Sequence, residues 1–156
     1  MATRSAGIVA FRRKQGAIEV LLVHPGGPFW RNKDEGAWSI PKGEYGADEN
    51  PQEAARREFR EELGIELTED LFPLGEVRQR GGKVVTAFAV ETDLDAANIL
   101  SNSFEIEWPP RSGRLERFPE VDRAAWFELA SARVKINDAQ RALLDRLEKA
   151  EAGRDK

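Results

Sequence analysis

Residues 43–65, GEYGADENPQEAARREFREELGI, constrain this chain more tightly than any other segment. Asn50 is a favoured helix N-cap, Pro51 suits the first helical position, and Glu53 completes a capping box. The Ala, Glu and Arg that follow are good helix formers. Gly64 supplies the left-handed residue that stops the helix, and Ile65 packs back beyond the stop. A helix over residues 51–63 is therefore expected.

Side chains on that helix advance by about 100° per residue. Ala55, Phe59 and Leu63 form one stripe at i, i+4, i+8, the expected buried face. Glu58, Glu61 and Glu62 share the adjoining arc, while Glu53, Arg56 and Arg60 take the solvated side. Three carboxylates grouped at i, i+3 and i, i+4 repel one another unless a cation neutralises them. A hard divalent ion with oxygen ligands suits that role.

With Gly43, Glu49, Arg57, Glu58, Glu61, Glu62 and Gly64 at their intervals, the segment resembles the Nudix box, and every defined position is filled. At ordinary residue frequencies such a match arises by chance less than about once in a hundred million starts. The resemblance implies an α/β fold, the Nudix α/β/α sandwich, with a mixed β-sheet flanked by helices. It implies a hydrolase that cleaves a nucleoside diphosphate linked to another group, using Mg²⁺ or Mn²⁺. By the same resemblance Glu58, Glu61 and Glu62 hold the metal, Gly43 offers its carbonyl, and Arg57 orients a carboxylate ligand and bridges to Glu49. The general base is left open between this helix and a later loop.

Elsewhere the pattern predicts strands at 4–13 and 18–24 joined by a turn at Gln15-Gly16, a breaker-rich loop over 25–36, and a short strand at 37–40. An antiparallel pair is expected at 74–80 and 83–92, turning at Gly81-Gly82. Residues 98–107 read as a strand or extended arm ended by Pro109-Pro110, and 111–123 as a basic flexible stretch. A strand at 124–129 and an amphipathic helix at 138–151, with Ala142, Leu143 and Leu147 inward, complete the order. The expectation is one domain over 1–150 with a frayed tail at 151–156.

A chain of 156 residues is long enough for one good core. No apolar window approaches a membrane span, and the N-terminus lacks the apolar run of a signal peptide. There are no cysteines, which removes disulfide and zinc–thiolate readings and fits a cytoplasmic location. The net charge of −4 speaks against long nucleic acid as partner. The expected partner is a small nucleotide or polyphosphate, and the expected state a monomer or homodimer.

Weaker signals surround the box. Lys42, in the Pro-Lys-Gly found in related polyphosphate enzymes, is a candidate phosphate contact, with Glu44 beside it. Glu120, in a loop before a late strand, is the preferred additional carboxylate, ahead of Asp122. Trp30 and Trp108 are candidate base-stacking rings, and Arg111 and Arg114 candidate phosphate clamps. His24, the only histidine, ends an apolar strand and reads as structural. No phosphate-binding P-loop or dinucleotide fingerprint is present.

At the place where related ADP-ribose enzymes tend to carry Pro, and many diadenosine polyphosphate enzymes Tyr, this chain has Arg80. The favoured reading is a pyrophosphohydrolase acting on a nucleoside or dinucleoside polyphosphate. The alternatives are a non-catalytic Nudix-fold nucleotide-binding module, or hydrolysis of diphosphoinositol polyphosphates or RNA 5′ ends.

Overall fold

β1 (Arg4–Lys14) and β2 (Ala17–Pro25) form the expected hairpin, with Phe11 opposite Val20 and Lys14 opposite Ala17. The turn runs through Gln15 and Gly16, both at positive φ. A computed structural model describes residues 3–154. Beyond Phe11–Val20 the two strands diverge, and residues 38–44 wedge between them. Ser39 bridges to Val23 of β2, and the Ile8 amide of β1 donates to the Pro41 carbonyl at 3.1 Å. β3 (Lys42–Glu44) then pairs antiparallel with β1, Gly7 facing Lys42.

The expected strand at 37–40 is thus reduced to isolated bridges, and regular pairing starts only at Lys42, because the segment crosses from one strand to the other. Gly7 is required there. A Cβ on it would lie 2.7 Å from both the Lys42 Cβ and the Pro41 carbonyl.

β4 (Phe72–Gln79) and β5 (Lys83–Glu91) form the second antiparallel pair, joined by a tight turn at 80–82 with Gly81 at φ 81°. β5 lies parallel to β1, and β8 (Val121–Glu128) pairs with the far edge of β2, giving the order β4-β5-β1-β2-β8 with β3 on β1. β6 (Ser103–Glu107) and β7 (Leu115–Pro119) make a separate two-stranded ribbon.

The stretch expected to be flexible is therefore ordered as β7 and the start of β8. Cross-strand pairs stabilise it: Phe104 opposite Phe118, and Glu105 accepting from Arg117 at 2.8 Å.

α1 (Pro51–Leu63) runs as expected, with Asn50 Oδ1 accepting from the Gln52 and Glu53 amides and Gly64 at φ 72°. α2 (Leu129–Lys135) was not expected; at seven residues it shows too little periodicity to read. A 3₁₀ turn at 138–140 precedes α3 (Arg141–Arg154), which buries Leu143, Leu144 and Leu147. Ala142 is exposed, not inward, because it lies off the stripe that Leu143, Leu147 and Glu151 form at i, i+4, i+8.

α3 also extends into the segment expected to fray. Glu151 is only 1% exposed and accepts from Arg13 at 3.0 Å and Arg154 at 2.8 Å. Residues 155–156 of that segment lie outside the described residues. No helix among the described residues is long and apolar enough to cross a membrane.

The sheet is covered on both faces, so β1 and β2 are apolar on both sides. Ala6, Ile8 and Ala10 pack with Ala54, Ala55, Phe59 and Leu63 of α1. Val9, Phe11, Val20 and Leu22 pack with Trp38, Ile40 and the leucines of α3 on the opposite face. This is an α/β/α sandwich. Phe59, fully buried, anchors α1 to the sheet; Phe59→Ala should cost about 3–5 kcal/mol, measured by urea unfolding.

Candidate active site

α1 leans its acidic arc against the β3 segment, and one cation organises the meeting. All five N–H donors of Arg57 are engaged. Its Nε and Nη2 grip the Glu49 carboxylate at 2.7 and 2.9 Å, and Nη2 also reaches the Glu44 carbonyl at 3.3 Å. Its Nη1 donates to Glu58 at 2.8 Å and to Glu61 at 3.1 Å. Hydrogen bonding to Glu49 leads in holding the guanidinium above its usual range, and Glu49 in turn is lowered by Arg57.

The three carboxylates of the arc are therefore not one open cluster. Glu61 is held by Arg57, and Glu58 is shared between Arg57 and the space beside Gly43. Glu62 points the other way, its Oε2 accepting from the Lys42 backbone amide at 3.0 Å. Among the described residues no three acidic or imidazole groups stand close enough to enclose an ion.

What remains still fits a hard cation. Burial pushes Glu62 up to about 8, with the nearby Glu58 charge adding to it. Burial also raises Glu58, against the pull of Arg57. Both groups resist ionisation until positive charge arrives. Gly43 completes the cradle: a Cβ there would stand 2.0 Å from the Glu58 carboxylate, so only glycine allows this approach. Glu58, Glu62 and the Gly43 carbonyl are the oxygen donors that would hold the ion.

Of these groups Glu62 borders a cavity of about 940 Å³, lined also by Lys42, Glu120 and Trp30, among others. Burial lowers the Lys42 ammonium, while Glu62 pulls it back up. Glu120 sits where the Gly26 amide donates to its carbonyl at 3.0 Å. Trp30, 40% exposed, stands at the mouth with Lys33 over its ring at 5.2 Å.

His24 is fully buried and holds the walls together. Its Nε2 donates to the Lys33 carbonyl at 2.6 Å, and its Nδ1 meets the Asp122 carboxylate at 3.0 Å. The structural role expected for it is the one its contacts describe, and Asp122 serves that role beside the cavity.

Other candidates lie elsewhere. Arg111 and Arg114 are at the exposed tip between β6 and β7, and neither lines the cavity. Trp108 packs edge-on against Phe29, ring centroids 5.4 Å apart, instead of facing the cavity. The exposed Glu44 contributes its carbonyl to Arg57, and its side chain is not among the lining groups.

The sequence reading missed Arg78, Gln79, Asn137 and Asp138, which line the same cavity. The first two end β4, and the others begin the turn before α3. Only the sheet order brings them beside Lys42, and no local pattern carries that information.

Because Glu62 keeps its proton in the folded protein after the unfolded chain has lost it, its burial destabilises the fold increasingly as pH rises from its ordinary 4.5 to about 8. In the metal-free protein, Glu62→Gln should leave Tm near that of the wild type at about pH 5 and raise it above about pH 8. Thermal melts in EDTA across this range check the sign.

The chain matches the NUDIX domain model over residues 1–147. No curated protein matches it. Among solved structures, a C. elegans Ap4A hydrolase binary complex superposes with TM-score 0.65 at 22% identity, covering 97% of this chain and 99% of that one. The NUDIX domain of Shewanella oneidensis NrtR, complexed with ADP ribose, gives TM-score 0.65 at 17% identity, covering 96% and 88%. The M. smegmatis Nudix hydrolase RenU gives 0.62 at 22% identity, covering 97% and 86%. At these identities the structural likenesses establish the fold. The family model spans nearly the whole chain, with the box helix and its acids inside it: the chain belongs to the NUDIX domain family, the Nudix hydrolases.

Proposed function

We propose that the protein is a divalent-metal-dependent pyrophosphohydrolase that cleaves a phosphoanhydride of a nucleoside or dinucleoside polyphosphate, with Mg²⁺ or Mn²⁺ as cofactor. The observation that carries this reading is the Glu58–Glu62 arrangement. Two acids resisting ionisation lie on one arc, Glu58 against the glycine cradle and Glu62 on a cavity that Lys42 also lines. Such a site gains most from a ligand that brings in a cation together with phosphate oxygens.

Each residue has a distinct task. Lys42 offers a point charge to a phosphate oxygen. Glu62 and Glu120, both facing the cavity, are the carboxylates placed to accept a proton from the attacking water. Arg57 touches no substrate in this account; it fixes the direction of Glu58 and Glu61. The face of the Trp30 ring is available to a nucleobase at the cavity mouth. When bound, the metal supplies positive charge that polarises the phosphoryl oxygens and stabilises the leaving phosphate. Phosphoryl transfer asks for little beyond positioning and charge compensation.

The likeness to an Ap4A hydrolase and to a domain holding ADP ribose supports a small nucleotide ligand. The net charge of −4 favours that over long nucleic acid.

A panel of nucleoside and dinucleoside polyphosphates assayed with Mg²⁺ or Mn²⁺, with products identified by mass, tests the reading. Glu58→Gln and Glu62→Gln should each lower kcat at least about a hundredfold while melting curves show an intact fold. Wild-type turnover in either variant, or metal-independent turnover by the parent, would count against it.

A further inference from the structure

The same cavity has a second, basic wall that the catalytic reading does not use. Arg78 ends β4 and Arg80 opens the turn after it, and both line the cavity that Glu62, Lys42 and Glu120 border. Neither has an ion-pair or hydrogen-bond partner among the described residues. The acids of the cavity do not serve them. Asp138 accepts from Arg141 at 2.7 Å, and Glu62 accepts from the Lys42 amide at 3.0 Å. Two guanidiniums two residues apart on one concave wall give that wall a local positive potential that favours an anion.

The backbone that carries them is tied down at the residue between. Between them, the Gln79 side-chain carbonyl accepts from Gln140 Nε2 at 3.3 Å, and Gln140 Oε1 accepts from the Ile40 amide at 3.0 Å. Gln140 is fully buried. One buried amide therefore ties the basic wall to the backbone two residues before Lys42. The backbone of the wall and that of the acidic corner are thus held in fixed relation, so only the two arginine side chains are left to order on binding.

We propose that Arg78 and Arg80 form a phosphate-binding subsite that selects substrates carrying several closely spaced phosphates beyond the bond that is cut. This deepens the pyrophosphohydrolase reading and rests on it for the location of that bond. Arginine suits the task because its planar fork grips phosphate oxygens in pairs. A substrate with one phosphate on either side of the scissile oxygen leaves this wall empty. A longer linear chain, or a small polyol bearing several phosphates, fills it.

Binding without turnover tests the subsite separately from catalysis. Isothermal titration in EDTA would use inorganic tripolyphosphate and inositol hexakisphosphate as probes. The Arg78→Ala/Arg80→Ala protein should bind at least one probe at least about tenfold more weakly than wild type, and Arg78→Lys/Arg80→Lys should fall between them. Lys14→Ala, a basic site remote from the cavity, should bind like wild type.

Weakening confined to tripolyphosphate assigns the subsite to linear chains, and weakening confined to the hexakisphosphate assigns it to a polyol. Equal affinity in wild type and the double alanine protein overturns the proposal. So does an equal loss in Lys14→Ala, or no binding of either probe by wild type. Because both arginines are exposed, melting curves should not move, and Arg78→Gln/Arg80→Gln repeats the test if the alanine protein unfolds. Loss of binding in a protein that hydrolyses nothing would retain the subsite and retire the enzymatic reading.

Discussion

Arg57 is the charge on which the acidic face of α1 depends. Glu49, Glu58 and Glu61 would otherwise repel across a helix turn and the loop before it. With every donor engaged, the guanidinium turns that repulsion into a fixed lattice of five hydrogen bonds spanning loop and helix. Exposure of the partners is modest: 29% for Arg57 and 13% for Glu58. The pairs are thus less screened than ordinary surface bridges. The lattice neutralises one side of the arc, while Glu62, on the other side, has no share in it and lies nearest the partly desolvated Lys42. The asymmetry of the site follows: Glu49, Glu58 and Glu61 share Arg57, and Glu62 does not.

The sheet supplies the place where this asymmetry matters. β1 and β2 could have stayed paired to their ends, as their apolar runs would allow. Instead the 38–44 segment is forced between them, which demands the bare Cα of Gly7 and sets Lys42 and Gly43 against α1. The split makes a cleft whose floor is backbone, with Lys42 N–H donating into it. Gln140, reaching from the opposite layer, caps the Ile40 amide that the split leaves exposed and ties β4 to the same floor. The cavity therefore belongs to the divergence of two strands and not to any one loop.

What the sequence made legible was local. Asn50, Pro51 and Gly64 state where α1 starts and stops, and Ala55, Phe59 and Leu63 state which side is buried; the structure agrees on each. The hairpins at Gln15-Gly16 and Gly81-Gly82 were readable for the same reason, since turn chemistry is written in neighbouring residues. The misses are non-local. β7 is exposed along nearly its whole length and carries no alternation; it exists because β6 lies beside it. Glu151 looked like a tail residue because its partner, Arg13, is far away in sequence. The splitting of Glu58 and Glu61 from Glu62 likewise depended on where the Lys42 amide would come to rest. A helical wheel places side chains on an arc but does not say which neighbour claims each.

The charges of the cavity make sense only when its two ends are considered together. At the acidic end, Glu62 is held up to about 8 by burial and by Glu58, so its surroundings resist the ionised form. At the other end, Arg78 and Arg80 lack a local partner among the described residues. The two ends thus prefer ligands of opposite sign. A bare cation would relieve the acids and worsen the basic wall; a bare anion would do the reverse. A polyphosphate carrying its own divalent ion presents positive charge at one place and negative charge along the rest. A ligand of that dipolar kind matches both ends of the cavity at once, which is why the proposed function and the proposed subsite support each other.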